Sequence, residues 1–168
     1  MTTPSDGPAV ADLPAVAALA GDGEPLWGLG GLWIIKVSAA QTGGSFSLIE
    51  VRMKHGTGTP LHRHDLDEET FIVLEGTLAL LADGTRVDAG PGEIVYLPGG
   101  RVHAWRAESA EARFLVLATP RHEAFYRECC VPATSFEQPE DAGQIDLAII
   151  VPAGKKHGVE IISPPPAY

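Results

Sequence analysis

Residues 55–76 read HGTGTPLHRHDLDEETFIVLEG. Two histidines, His62 and His64, stand one residue apart in a chain that holds six. In an extended segment, residues i and i+2 project from one face. The two imidazoles therefore converge, with Cα atoms about 6–7 Å apart by strand rise. That arrangement suits adjacent ligand positions of a first-row transition metal. The plainer reading is a charged surface loop, because Asp65, Asp67, Glu68 and Glu69 follow at once. A metal site would need a carboxylate from this run and a further ligand from elsewhere. Among the remaining histidines, His103 alone follows a strand-like run and a Pro/Gly turn, in GEIVYLPGGRVH at residues 92–103.

The flanking sequence is built of short β-type runs. Residues 32–37, 46–53, 61–64, 71–74, 77–81, 85–89, 93–97, 102–107 and 113–118 read as short strand-like runs, with 71–74 β-branched and aromatic. Gly- and Pro-containing turns separate them, and Asp83-Gly84 between LALLA and TRVDA is a hairpin signal. Eight or nine such strands with no long amphipathic helix between them predict an antiparallel sandwich or barrel. Residues 1–24 read as a loose arm with at most one short helix. The spacing of Phe125 and Cys129 predicts a short helix over 122–130. Residues 144–151 fit either a helical turn or a strand. The domain expectation is an arm at 1–24, a barrel at 25–120, and a helical or irregular extension at 121–168 packed on the barrel.

Composition narrows the functional classes. A length of 168 residues fits one domain, long enough to bury about two thirds of its unfolded surface without disulfide staples. The formal charge of −10 disfavours nucleic acid and anionic membranes as partners. No run of 18 apolar residues suggests a membrane span, and no basic residue precedes Lys36 to start a secretory signal. Cys129 and Cys130 are adjacent, a separation unsuited to a mutual disulfide, and they read as free thiols in a cytoplasmic protein.

The spacing of the motifs goes further. Gly56 is followed by five residues, then His62, one residue, His64, four residues, Glu69, six residues, and Gly76. Gly92 is followed by five residues, then Pro98, one residue, Gly100, two residues, and His103. The joint pattern resembles the two signature motifs of the cupin superfamily, G-x5-HxH-x3,4-E-x6-G and G-x5-PxG-x2-H-x3-N. Only the final Asn is missing, and Ala107 stands in its place. The likeness covers roughly residues 30–120, and the C-terminal stretch HGVEIISPPP is similar to the tail of quercetin dioxygenase-like single-domain members.

The resemblance implies an all-β, small double-stranded jelly-roll barrel with a short helical C-terminal extension. It implies one divalent transition metal ion (Fe, Mn, Ni, Co, Cu or Zn) held by His62, His64, Glu69 and His103. The motif also admits Glu68. Glu69 is preferred because it alone leaves six residues before Gly76 and because it shares strand parity with Phe71 and Val73. Asp65, Asp67 and Glu68 then read as solvated neighbours. His55 reads as a surface turn residue, and His122 and His157 as solvated. Trp27 and Trp33 read as core or interface residues. Met53, Phe71, Val73 and Trp105 are the candidates for a substrate pocket.

The function implied is a metal-dependent dioxygenase acting on a small aromatic or enolic metabolite, with Glu69 as general base and dioxygen as co-substrate. Two alternatives stand beside it. One is a non-oxidative isomerase, cyclase, decarboxylase or lyase of secondary metabolism; the other is a non-catalytic small-molecule-binding module. The N-terminal strand near Trp33 offers an edge for a homodimer.

Overall fold

The computed structural model describes residues 13–138 and 145–167. The chain runs β1 (Glu24–Gly28), β2 (Gly31–Val37), β3 (Ser47–Lys54), β4 (Leu61–His64), β5 (Glu69–Glu75) and β6 (Leu78–Ala82). It continues through β7 (Thr85–Ala89), β8 (Ile94–Leu97), β9 (His103–Ala107) and β10 (Glu111–Ala118). Helix α1 (Pro120–Cys129) follows, then β11 (Val131–Pro132), α2 (Leu147–His157) and β12 (Val159–Ser163).

The strands form two antiparallel sheets, in the orders β11-β1-β2-β3-β10-β5-β8 and β12-β4-β9-β6-β7. This is the expected jelly-roll barrel. Alternation along the strands decides what fills it. On β5, Glu69, Phe71 and Val73 point inward while Thr70, Ile72 and Leu74 are only partly covered. β10 repeats the pattern with Ala112, Phe114 and Val116. Phe71, Phe114, Ile49, Val51 and Met53 are fully enclosed, each contributing about 1.5–3 kcal/mol by leaving water.

Two glycines carry the motif turns. Gly76 has φ +76°, and a Cβ there would run into the Glu111 carbonyl. Gly100 has φ +81° and donates its N–H to the His64 carbonyl at 2.7 Å. That bond ties the loop ahead of His103 directly to the end of the strand that carries His62 and His64.

Every strand expected from the sequence is present, and β1, β11 and β12 are additional. They were hidden because each is short or ends in glycine or proline, and each forms by lying along an edge that a distant segment supplies. β12 is the consequential one. Val159 pairs with His64 and Ile161 with His62, so β4 lies between β12 and β9. The C-terminal segment is thus helical, as expected, but it also completes the small sheet. Residues 147–157 resolve the helix-or-strand alternative as helix, capped by the Asp146 side chain and ended by Gly158 at φ +72°. Of the expected N-terminal arm, residues 1–12 lie outside the described residues, and 13–23 contain no helix. Among the described residues no helix is long and apolar enough to cross a membrane.

Candidate metal centre

Strand pairing brings the motif residues together. His62 and His103 are direct cross-strand partners on β4 and β9. His64 lies two residues along β4, on the same inward face. Glu69 opens β5 in the facing sheet, so the cluster spans the gap between the two sheets with three imidazoles on one side and a carboxylate on the other. All four side chains are buried, and one ligand atom from each lies within 4.8 Å of the others. Glu69 Oε2 is 3.4 Å from His103 Nε2 and 3.9 Å from His64 Nε2.

Three of these converging atoms, His64 Nε2, His103 Nε2 and Glu69 Oε2, have no hydrogen-bond partner among the described residues. Buried polar atoms are rarely left so, because an unmet group costs its full desolvation penalty. A divalent cation among them would satisfy all three, and the donor set of imidazoles and one carboxylate suits a first-row transition metal. The outer nitrogens of His62 and His103 are already arranged for this, while His64 Nδ1 has no partner among the described residues. His62 Nδ1 lies 2.9 Å from the Pro60 carbonyl, and His103 Nδ1 lies 2.9 Å from the Arg101 carbonyl. A carbonyl only accepts, so each Nδ1 carries a proton and each ring turns its Nε2 towards the cluster.

The electrostatics agree. Burial, reinforced by neighbouring imidazoles, pushes His62 down to about 3 and His64 down to about 2, so both are neutral at physiological pH. Burial also works against a charge on His103, but the Glu69 carboxylate outweighs it and holds that group above its ordinary value. Glu69 itself would be raised by burial. His122 and His64, with His103, reverse this and hold the carboxyl well below 4.5. It is therefore ionised at neutral pH.

Residues 49–118 match the family described as Cupin domain. The chain carries a cupin domain. A quercetin 2,3-dioxygenase from Bacillus subtilis is 31% identical over 110 residues, which make up 64% of this chain and 32% of that protein. The chain thus spans about a third of that relative's length. The crystal structure of a protein described as a predicted oxalate decarboxylase from Thermotoga maritima superposes with a TM-score of 0.54. It is 17% identical, covering 63% of this chain and 98% of that one, a likeness of fold alone.

Within the cupin barrel, several residues behave differently from the expectation. His122 is not solvated. It is 2% exposed and lies on α1 with Nδ1 3.2 Å from Glu69 Oε1. Its signal was present in the sequence, since His122, Phe125, Tyr126 and Cys129 follow the i, i+3, i+4, i+7 stripe of one helix face. Tyr126 was not singled out either, yet its hydroxyl donates to Glu69 Oε1 at 2.9 Å. Burial, with the adjacent carboxylate, raises the Tyr126 phenol well above 10, so it stays a donor.

Asp67 is not surface charge. At 7% exposure it accepts from the Thr119 hydroxyl at 2.6 Å and pairs with Arg121 at 2.7 Å. The loop that crosses between the sheets is thereby pinned to the start of α1. Asp65 and Glu68 are exposed as expected, with Glu68 accepting from the Tyr96 hydroxyl. His55 is exposed, also as expected. His157 is partly covered rather than solvated, with Nε2 2.8 Å from Glu128.

A cavity adjoins the cluster. Its wall includes His62 and His122, with Trp33, Trp105, Phe125 and Tyr126 as the aromatic surface and Ile150, Val159 and Ile161 as the aliphatic one. Among the described residues no Asp, Glu, Lys or Arg lines it. Of the four pocket candidates, Trp105 lines this cavity. Trp33, read as core or interface, faces the cavity as well, its indole N–H tied to the Gly28 carbonyl at 3.0 Å. Met53, Phe71 and Val73 are not in this wall; they share the inward parity but lie deeper, in the packed core. Cys129 and Cys130 are free, and burial pushes both thiols up to about 12, which makes them poor nucleophiles.

Proposed function

We propose that this chain is a metal-dependent cupin enzyme whose substrate is a small, uncharged aromatic or enolic molecule, oxidised with dioxygen. The observation that carries the reading is the position of the His62, His64, Glu69 and His103 cluster against an aromatic-walled cavity whose described lining holds no Asp, Glu, Lys or Arg. A bound divalent metal would supply Lewis-acid stabilisation of a substrate oxyanion and a site for dioxygen. The likeness to a quercetin dioxygenase supports this choice of chemistry.

The protein's own residues have definable tasks. Glu69 is ionised and directs Oε2 into the cluster, where it can take the proton of a substrate hydroxyl. His62 and His103 are oriented by the Pro60 and Arg101 carbonyls, which hold each Nε2 towards the cluster. Trp33 and Trp105, 6.3 Å apart and tilted by 57°, offer faces against which a planar ring can pack. The apolar wall excludes water and strengthens the charge interactions inside. Apart from a bound metal, its described lining offers no cationic side chain to hold an anionic substrate such as oxalate. The free space is small, about 40 Å³, room for only a few waters, so an aromatic ring must displace wall side chains on entry.

The test is oxygen uptake by metal-analysed protein offered polyphenols and, separately, oxalate. The expected result is uptake with a polyphenol, none with oxalate, and loss of the activity in Glu69→Gln. Turnover of the same substrate under strict anaerobiosis would overturn the oxidative assignment in favour of a lyase or isomerase.

A further inference from the structure

The two oxygens of Glu69 live in different surroundings. Oε2 faces the three strand histidines and has no partner. Oε1 faces α1, where the Tyr126 hydroxyl donates to it at 2.9 Å and His122 Nδ1 lies 3.2 Å away. His122 Nδ1 is itself buried and without a hydrogen bond in this geometry, close to one oxygen but off its hydrogen-bonding direction.

The register explains how the helix reaches this carboxylate. Glu69 pairs directly with Ala118, the last residue of β10. The chain then turns at Thr119, whose side chain caps α1 by accepting from the His122 N–H, and Pro120 begins the helix. The first turn of α1 is thereby laid over Glu69. His122 and Tyr126 are four residues apart, so they stand on one helix face, with rings stacked at 4.4 Å and 21°. Tyr126 is in turn wedged against Trp33 at 4.4 Å. Asp67 holds the start of the helix through Thr119 and Arg121, while Glu123 accepts from the Ala39 N–H and from Arg127. The pair facing Glu69 is thus mounted on a helix anchored to two separate loops.

We propose that Tyr126 and His122 are positioning residues that keep Glu69 Oε1 away from the cation site, so that Glu69 meets a bound metal through Oε2 alone. This rests on the reading of the cluster as a metal centre. A carboxylate with both oxygens free can chelate and fill two coordination positions. One with an oxygen committed to a buried donor fills a single position and leaves another open towards the cavity. Such partners of metal ligands typically change metal affinity when removed.

The experiment is titration of the full chain with Co(II), reading affinity by competition with a chelator and coordination by the visible absorption of the bound ion. Apo-protein melting is measured alongside as a check on folding. Tyr126→Phe keeps the ring and its contact with Trp33 and removes only the donor. His122→Leu removes the second polar neighbour, and His122→Asn keeps a polar side chain near the Nδ1 position. The expected result for Tyr126→Phe and His122→Leu is one bound Co(II), an affinity lowered about 10- to 100-fold, and a changed Co(II) spectrum, with His122→Asn closer to the unsubstituted protein. A Tyr126→Phe protein with unchanged affinity and spectrum overturns the proposal while leaving the metal centre standing. A shift in melting temperature with an unchanged spectrum overturns it too, since it would mark a purely structural role. If the unsubstituted protein binds no Co(II), the metal centre itself fails and the proposal falls with it.

Discussion

The candidate centre has two halves that differ in how they are built. The inner half is local: His62, His64 and His103 are set by strand parity and one cross-strand pair, and Gly100 fixes the loop between them. The outer half is tertiary: His122 and Tyr126 arrive on a helix that lies over Glu69 only because β10 ends beside it. Glu69 is the joint between them, with one oxygen in each half. Side chains that coordinate can be specified by short spacings, whereas those that steer the carboxylate depend on where a distant element lands.

Substitutions that attack one half at a time sharpen this difference. The largest effect is expected for the inner half. His103→Ala removes an imidazole that lies directly opposite His62, and metal analysis of the purified variant should show loss of stoichiometric metal with the fold retained. Full retention of metal would break the assignment of the inner half.

The next largest effect is expected where the outer half is anchored. Asp67→Ala removes a buried acceptor from Thr119 and the pairing with Arg121. Because Arg121 is over a third exposed, the expected loss is about 2 kcal/mol rather than that of a fully buried pair. A melting curve checks this, and metal affinity should weaken together with it, since α1 carries the residues that face Glu69. Loss of stability with no change in affinity would separate the helix from the centre.

A smaller, pH-dependent effect is expected at Glu123, the other anchor. Burial favours its neutral form, but the Ala39 N–H and the Arg127 guanidinium outweigh burial and hold its carboxyl below 4.5. A folded-state value below the unfolded one contributes stability above pH 4.5, which is lost as pH falls through the lower folded value. Glu123→Gln should therefore cost about 1 kcal/mol at pH 7, and the difference from the unsubstituted protein should shrink at pH values below 4.5. Denaturant unfolding at a series of pH values measures it; a constant difference would contradict the assignment.

The smallest effect is expected at the far end of the same helix. With both thiols pushed up to about 12, Cys129 and Cys130 should resist alkylation in the folded protein at pH 8 and react on unfolding. Rapid labelling of the native protein would show that the end of α1 opens.

The same division describes what the sequence made legible. The barrel strands and the His62/His64 pair follow from parity and turn signals, and the addition of His103 and Glu69 rests on the resemblance to the cupin motifs, with parity supporting Glu69 over Glu68. His122 and Asp67 were misread because charge and polarity suggest water unless a partner is known, and their partners lie 53 and 54 residues away in Glu69 and Arg121. β12 escaped for a related reason. VEIIS becomes a strand by lying along β4, roughly a hundred residues earlier in the chain. Met53, Phe71 and Val73 show the limit of parity: it told correctly that they face inward, but not whether the interior at their level is cavity or packed core.

The central claim is that His62, His64, Glu69 and His103 hold one transition metal ion between the two sheets. Anomalous diffraction from crystals grown with Co(II), collected on either side of the metal edge, tests it directly. The expected map has one strong peak within bonding distance of the three Nε2 atoms and of Glu69 Oε2, with Glu69 Oε1 still on Tyr126. A peak elsewhere, or none between the sheets in protein shown to bind Co(II) in solution, would contradict it.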